Sequence, residues 1–184
     1  LGSFYYAVPS GFKAICNANL PDPSIALPDK YFDTLLYTGN STNNRAITGL
    51  EFQPDFVWIK KRASSIMTHW IVDALRPNTD NSTGNGNVGA LASNSTDGEQ
   101  AHPDGGFESF DANGFTLGKG SNDNNADSAY QRNNANGQTY VAWNWDAGSS
   151  TVSNSNGSVT SSVRANTTAG FSVVSWTSTG TTGS

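Results

Sequence analysis

Thr139-Tyr140-Val141-Ala142-Trp143-Asn144-Trp145-Asp146 is the stretch whose reading decides the fold. Side chains along a strand alternate between two faces. Val141, Trp143 and Trp145 therefore point one way, and Tyr140, Ala142, Asn144 and Asp146 the other. The tryptophan face is the one expected to be buried as core, together with Trp58. Eight residues with this alternation and no helical period mark a β-strand.

The pattern extends outward in both directions. Phe107–Phe110 and Phe115–Gly118 flank Asp111-Ala112-Asn113-Gly114, a hairpin whose turn signal is Asn-Gly. Thr68–Asp73 is a strand with Trp70 and Val72 on one face. Phe56–Lys60 carries large residues on both faces, as a central strand covered on both sides does. Tyr31–Thr38 sets Phe32, Thr34 and Leu36 against Asp33, Leu35 and Tyr37, and ends in the turn Gly39-Asn40-Ser41. Between these strands, 77–104 and 119–137 are long polar loops, the first with a short strand expected at Val88–Leu91. Loops of such length commonly carry function.

Composition agrees with this. Gly, Ser, Thr and Asn make up 81 of the 184 residues, and all four are poor in helix interiors. The net charge is −5, with ten Lys and Arg together, which excludes a nucleic-acid binder relying on phosphate contacts. No apolar run approaches the roughly 20 residues of a membrane-spanning helix. A single cysteine, Cys16, rules out an intramolecular disulfide framework and suits a small buried apolar residue. Five Trp and nine Phe argue against disorder. The expected fold is an all-β, antiparallel β-sandwich of jelly-roll or concanavalin-like type.

The ends read as pieces of neighbouring units. Phe4–Ala7 and Phe12–Cys16 are expected strands around Pro9-Ser10-Gly11. Three prolines within 20–30 make a stiff linker. The complete sandwich is expected over 31–147. Residues 148–168 read as a Ser/Asn/Thr linker in which Val152, Val159 and Val163 could form a weak strand. Gly170–Thr177 repeats Tyr31–Thr38, with Phe32/Phe171 and Thr38/Thr177 identical, so 169–184 reads as the first strand of a second, truncated repeat.

Several motifs carry a family likeness. They are Asp33-Thr34-Leu35-Leu36-Tyr37-Thr38-Gly39-Asn40, Ile47-Thr48-Gly49-Leu50, Phe52-Gln53-Pro54-Asp55-Phe56-Val57-Trp58-Ile59-Lys60, Phe110–Gly118 and Gln138–Trp145. In this order they resemble a repeat found in marine bacteriophage virion proteins. The opening, Phe4 to Ala14, resembles the closing strands of a SPRY-like β-sandwich, so 1–19 would belong to a preceding domain. The resemblance implies a concanavalin-like sandwich in a tail fibre or other virion appendage, at the extracellular surface of the virion. Other virion chains, a homo-oligomeric arrangement and a host-surface polysaccharide are the partners it implies. It transfers no catalytic residues.

Direct inspection finds little chemistry. There is no Gly-x-Ser-x-Gly elbow, and most Asp sit in turn contexts such as Asp97-Gly98. The chain is accordingly expected to be no enzyme and to need no cofactor. Asp123-Asn124-Asn125-Ala126-Asp127 gathers oxygen ligands of the kind calcium takes, with Asp123 and Asp127 as the metal candidates; a solvated loop is the other reading. Sugars stack on aromatic rings while amides and carboxylates take their hydroxyls. Trp70 and Tyr130 are the exposed rings expected to serve, with Asn124 and Asn125 as polar partners. The alternative function is a secreted bacterial adhesin, or a carbohydrate-binding module attached to an enzyme.

Overall fold

The computed structural model describes residues 6–7, 9–13, 20–62, 69–76, 78–80, 87–99, 106–119 and 133–180. Its strands, in chain order, are β1 (Phe32–Thr38), β2 (Arg45–Thr48), β3 (Phe56–Lys61), β4 (Trp70–Asp73), β5 (Asn78–Asp80), β6 (Asn87–Val88), β7 (Leu91–Ala92), β8 (Phe107–Asp111), β9 (Gly114–Leu117), β10 (Thr139–Trp145), β11 (Thr151–Asn154), β12 (Ser161–Asn166) and β13 (Phe171–Trp176). One 3-10 turn, Pro28–Lys30, leads into β1. No helix among the described residues is long and apolar enough to cross a membrane.

The chain folds as an all-β, antiparallel sandwich. A five-stranded sheet runs β1-β10-β3-β4-β7, and a three-stranded sheet runs β2-β9-β8. All their ladders are antiparallel. The core lies between them. Val57, Ile59, Trp70, Val72, Ala92, Tyr140 and Ala142 come from the larger sheet, and Ile47, Phe107, Phe115 and Leu117 from the smaller one. Leu35 and Tyr37 of β1 pack against this cluster.

The deciding strand turns out reversed. On β10 the buried inner face is Tyr140, Ala142 and Asn144, whereas Trp143 and Trp145 are only half-buried on the outer face. Trp58, expected in the core beside them, shares that outer face. The cause is the space between the sheets. Face-to-face sheets pack about 10 Å apart, and that gap is already filled by Tyr37 stacked on Tyr140 at 5.1 Å and by Phe115 edge-on to Tyr37 at 6.3 Å. The alternation predicted from the sequence is correct, but it could not say which of two apolar faces points inward.

Register places the outer face in rows, three of them beyond the Thr38–Thr139 pair. Leu36, Val141 and Lys60 lie side by side, then Thr34, Trp143, Trp58, Ile71 and Leu91, then Phe32, Trp145, Phe56 and Asp73. Trp58 and Trp143 meet at 5.4 Å. Over the third row sits Phe171, 5.7 Å from Phe56 and 5.8 Å from Trp145.

Phe171 arrives on a third sheet, the antiparallel meander β11-β12-β13. The stretch 148–168, expected as a linker, thus holds two strands. Cross-strand register explains why: Val152, Val163 and Val174 fall opposite one another across the three strands, and such same-face pairs stabilise a sheet. A single valine in each of β11 and β12 gives too weak a period to be read from sequence. Phe171–Trp176, expected as the opening strand of a second repeat, pairs here with β12 and closes the meander.

Elsewhere the outcomes are mixed. The hairpin β8–β9 forms, with Asp111 opposite Gly114. A Cβ on Gly114 would run into the carbonyl oxygen of Ile47 on β2, so close approach of a neighbouring strand demands glycine there. In the first long loop the short strands are β5, β6 and β7, with Val88 closing β6 and Leu91 opening β7. At the head, the turn at Pro9-Ser10-Gly11 closes with Phe12 N–H donating to the Pro9 carbonyl. Residues 6–7 and 12–13 are not in strands; the rest of the two expected head strands, with Cys16, lies outside the described residues.

Candidate functional site

Of the residues singled out from the sequence, five fall outside the described residues: Tyr130, Asn124, Asn125, Asp123 and Asp127. The sixth, Trp70, was expected at the surface and is only 4% exposed. It pairs with Ile59 across β3–β4 and shares its inward face with Val72, so its ring is core rather than a stacking platform. Among the described residues no three His, Cys, Asp or Glu side chains come together as metal ligands.

A different place gathers an exposed ring and polar groups. A cleft of about 590 Å³ opens between the end of β4 and the meander. One wall is built at the turn after β4. Asp73 is buried, and its Oδ1 accepts from the backbone N–H groups of Leu75 (3.0 Å) and Arg76 (3.1 Å). This Asx-type turn fixes the backbone, as aspartate commonly does. The other oxygen, Oδ2, takes Arg76 Nε at 2.6 Å. Arg76 Nη1 then reaches Glu99 Oε2 at 2.8 Å. One guanidinium therefore bridges two carboxylates, and Gly89 leaves the room in which the Glu99 carboxylate lies.

The other wall is the meander's edge. Val174, Ser175, Trp176 and Thr177 line the cleft in succession, beside Thr160, Ser161 and Ser162, with Ser161 paired to Trp176 and Ser162 to Ser175 across β12–β13. β13 pairs only with β12 among the described strands, leaving its other edge open. Alternation puts Ser175 on the same face as Val173 and the sandwich-docked Phe171, and Val174 and Trp176 on the opposite face, so Trp176 stands at the rim of the cleft. Trp176 ends the strand and is 67% exposed. The wall thus offers a free indole beside a row of hydroxyls. The sequence did carry a signal for it: Trp176 is followed by Thr177-Ser178-Thr179-Gly180, which supplies no apolar neighbour to bury a ring.

A second polar cluster holds the meander to the sandwich. Asp55, just before β3, is 1% exposed. Its Oδ1 pairs with Arg164 Nη2 at 2.8 Å, and its Oδ2 accepts from Ala147 N–H at 2.9 Å. Arg164 Nε donates to the Gly148 carbonyl at 2.6 Å, and Asn166 Nδ2 donates to Asp146 Oδ2 at 2.8 Å. Burial pushes the Asp55 carboxyl up to about 6; Arg164 and the Ala147 N–H pull it down, and Asp146 pushes it further up. These groups line a smaller cleft of about 430 Å³, but each is satisfied by a partner within the chain. Its chemistry is that of a structural clamp.

The profile of one protein family matches residues 27–184, and the family is described as a domain of unknown function, DUF7483. The chain belongs to this family. The DUF7483 match covers the sandwich and the meander alike, so the clamp and the Trp176 cleft both lie within the matched range. No curated protein and no solved structure matches the chain.

Proposed function

We propose that this DUF7483 domain is a structural module of a bacteriophage tail fibre or related virion appendage, and that it binds host-surface glycans through the Trp176 cleft. The observation that carries the binding part is the pairing of a 67% exposed indole with a hydroxyl-rich edge and a carboxylate–guanidinium wall across about 590 Å³. A sugar ring stacks its C–H face on such an indole, and its hydroxyls need donors and acceptors such as the Ser and Thr side chains of the same wall. Concave sites with a few convergent polar groups are the usual ligand sites of proteins. The virion part rests on the sequence resemblance over 30–147. Tandem copies belong to the same reading, and Phe32 and Phe171, the matched residues of the two segments, both contact Trp145, at 4.8 and 5.8 Å.

The reading is of a binding module rather than a hydrolase. Glycoside hydrolysis uses a pair of carboxyls, one of them free to give a proton. Both carboxylates of this cleft share Arg76. The test is binding of host-surface polysaccharides, measured by calorimetry on the intact chain and on Trp176→Ala. Because the ring is exposed, the substitution should leave stability within about 0.5 kcal/mol while weakening binding about tenfold or more, as loss of an aromatic contact does. Unchanged affinity would remove the cleft from the reading, and shortening of the polysaccharide would overturn the non-catalytic part. Detection of the protein in purified virions by mass spectrometry tests its place in the particle.

A further inference from the structure

We infer that the Trp176 cleft selects uncharged saccharides and rejects acidic ones such as uronates and sialylated chains. The inference rests on the glycan reading of this cleft and specifies its ligand class. Arg76 is the one cation among the residues that line it. Its Nε is taken by Asp73 and its Nη1 by Glu99. A bidentate clamp on a ligand carboxylate, which is how arginine recognises anions, would require breaking one of these bridges. Breaking the Asp73 bridge would strand a buried carboxylate that also holds the turn through two backbone N–H groups. Breaking the Glu99 bridge would set Glu99 beside the incoming anion.

The charge count points the same way. Two carboxylates and one guanidinium leave the wall with a net charge of −1, within a chain of net charge −5. An anion entering the cleft meets a net repulsion, because Arg76 is already shared by the two carboxylates. A neutral sugar meets what it needs. Trp176 offers its ring, the hydroxyls of Ser161, Ser175 and Thr177 offer donors and acceptors, and Glu99 is exposed enough to accept from a sugar hydroxyl while its Oε2 holds Arg76. The Arg76–Glu99 bridge thus acts as a positioned acceptor and as a filter.

The experiment compares matched pairs that differ only at C6: mannose, glucose and galactose tetrasaccharides against the corresponding uronate tetrasaccharides. Binding is followed by calorimetry with the intact chain at low salt, and repeated at high salt. The neutral member of the best pair should bind on the order of tenfold more tightly at low salt, and the gap should narrow as salt screens the repulsion. Glu99→Gln removes the charge, so it should close most of the gap between the two members of a pair at low salt. Equal or tighter binding of the uronate by the unmodified chain overturns the selectivity and leaves the glycan reading standing. Absence of Trp176-dependent binding to every member of all three pairs overturns both. The comparison on the unmodified chain does not depend on how the variant folds.

Discussion

Asn134 shows what a single residue does in this fold. It is fully buried. Its Nδ2 donates to the carbonyls of Thr42 (3.0 Å) and Gly118 (2.9 Å), and its Oδ1 accepts from Asn40 N–H at 3.0 Å. One amide therefore ties three chain segments together. Beside it, a Cβ on Gly39 would collide with the Ala135 carbonyl, so the turn after β1 can lie against this segment only as glycine. Buried polar groups left without partners cost about 1–3 kcal/mol. Asn134→Ala should therefore destabilise the chain by about 3 kcal/mol in urea unfolding, while Asn136→Ala, on an exposed neighbour, should change it by less than about 0.5 kcal/mol. Equal effects of the two would dismiss the stitching role. Nothing in the sequence distinguishes Asn134 from the other 20 asparagines, because its partners are 16 to 94 residues away. Trp70 was misplaced for the same reason: exposure of a ring at a strand end depends on which sheet passes over it.

At the level of the element, β10 was legible as a strand, and its alternation was legible too. Its orientation was not. Tryptophan outranks alanine and asparagine in apolar area, so a ranking by hydrophobicity puts the wrong face inside. The structure makes the difference measurable. Ala142 lies between Leu35 and Ile59 on the tightly filled inner face, and Trp143 stands half-exposed on the outer one. Ala142→Leu overpacks the core and should cost about 2–3 kcal/mol. Trp143→Leu removes a partly solvated ring and should cost about 1 kcal/mol. Thermal or urea unfolding of the two variants ranks them, and the reverse order would mean that the tryptophans face the core after all. β11 and β12 were the least legible elements, whereas β13 was legible as a strand. Their stability comes from pairing with neighbouring strands and from the docking of Phe171 on the sandwich, with Val173 buried on the same face of β13, all of them long-range facts.

Across the whole molecule, the described residues join sandwich and meander by contacts of two kinds, the aromatic stack at Phe171 and a polar cluster that holds the buried pair Asp55–Arg164 and the Asn166–Asp146 hydrogen bond. The stack is indifferent to pH and the pair is not. Burial makes the folded chain hold the Asp55 proton more tightly than the unfolded chain does, up to about 6 from an ordinary value of 3.8. The folded state therefore binds more protons between those values, and this group's contribution to stability falls as the pH rises through that window, by on the order of 3 kcal/mol, then stays level above it. Arg164 offsets part of the cost by favouring the carboxylate. Arg164→Met keeps the packing of the stem and removes the charge, leaving a buried anion unpaired at pH 8, a loss of about 3–5 kcal/mol. Near pH 5 the Asp55 carboxyl of the variant is protonated and needs no counter-charge, so the same substitution should cost less than half as much. Asp55→Asn should show the complementary behaviour, with unfolding free energy nearly flat between pH 4 and 7 where the unmodified chain slopes downward. Urea unfolding of the three proteins at pH 5 and pH 8 decides the matter. An equal cost of Arg164→Met at both pH values would mean that the arginine holds the meander through Gly148 alone, and that sandwich and meander are coupled by packing rather than by charge.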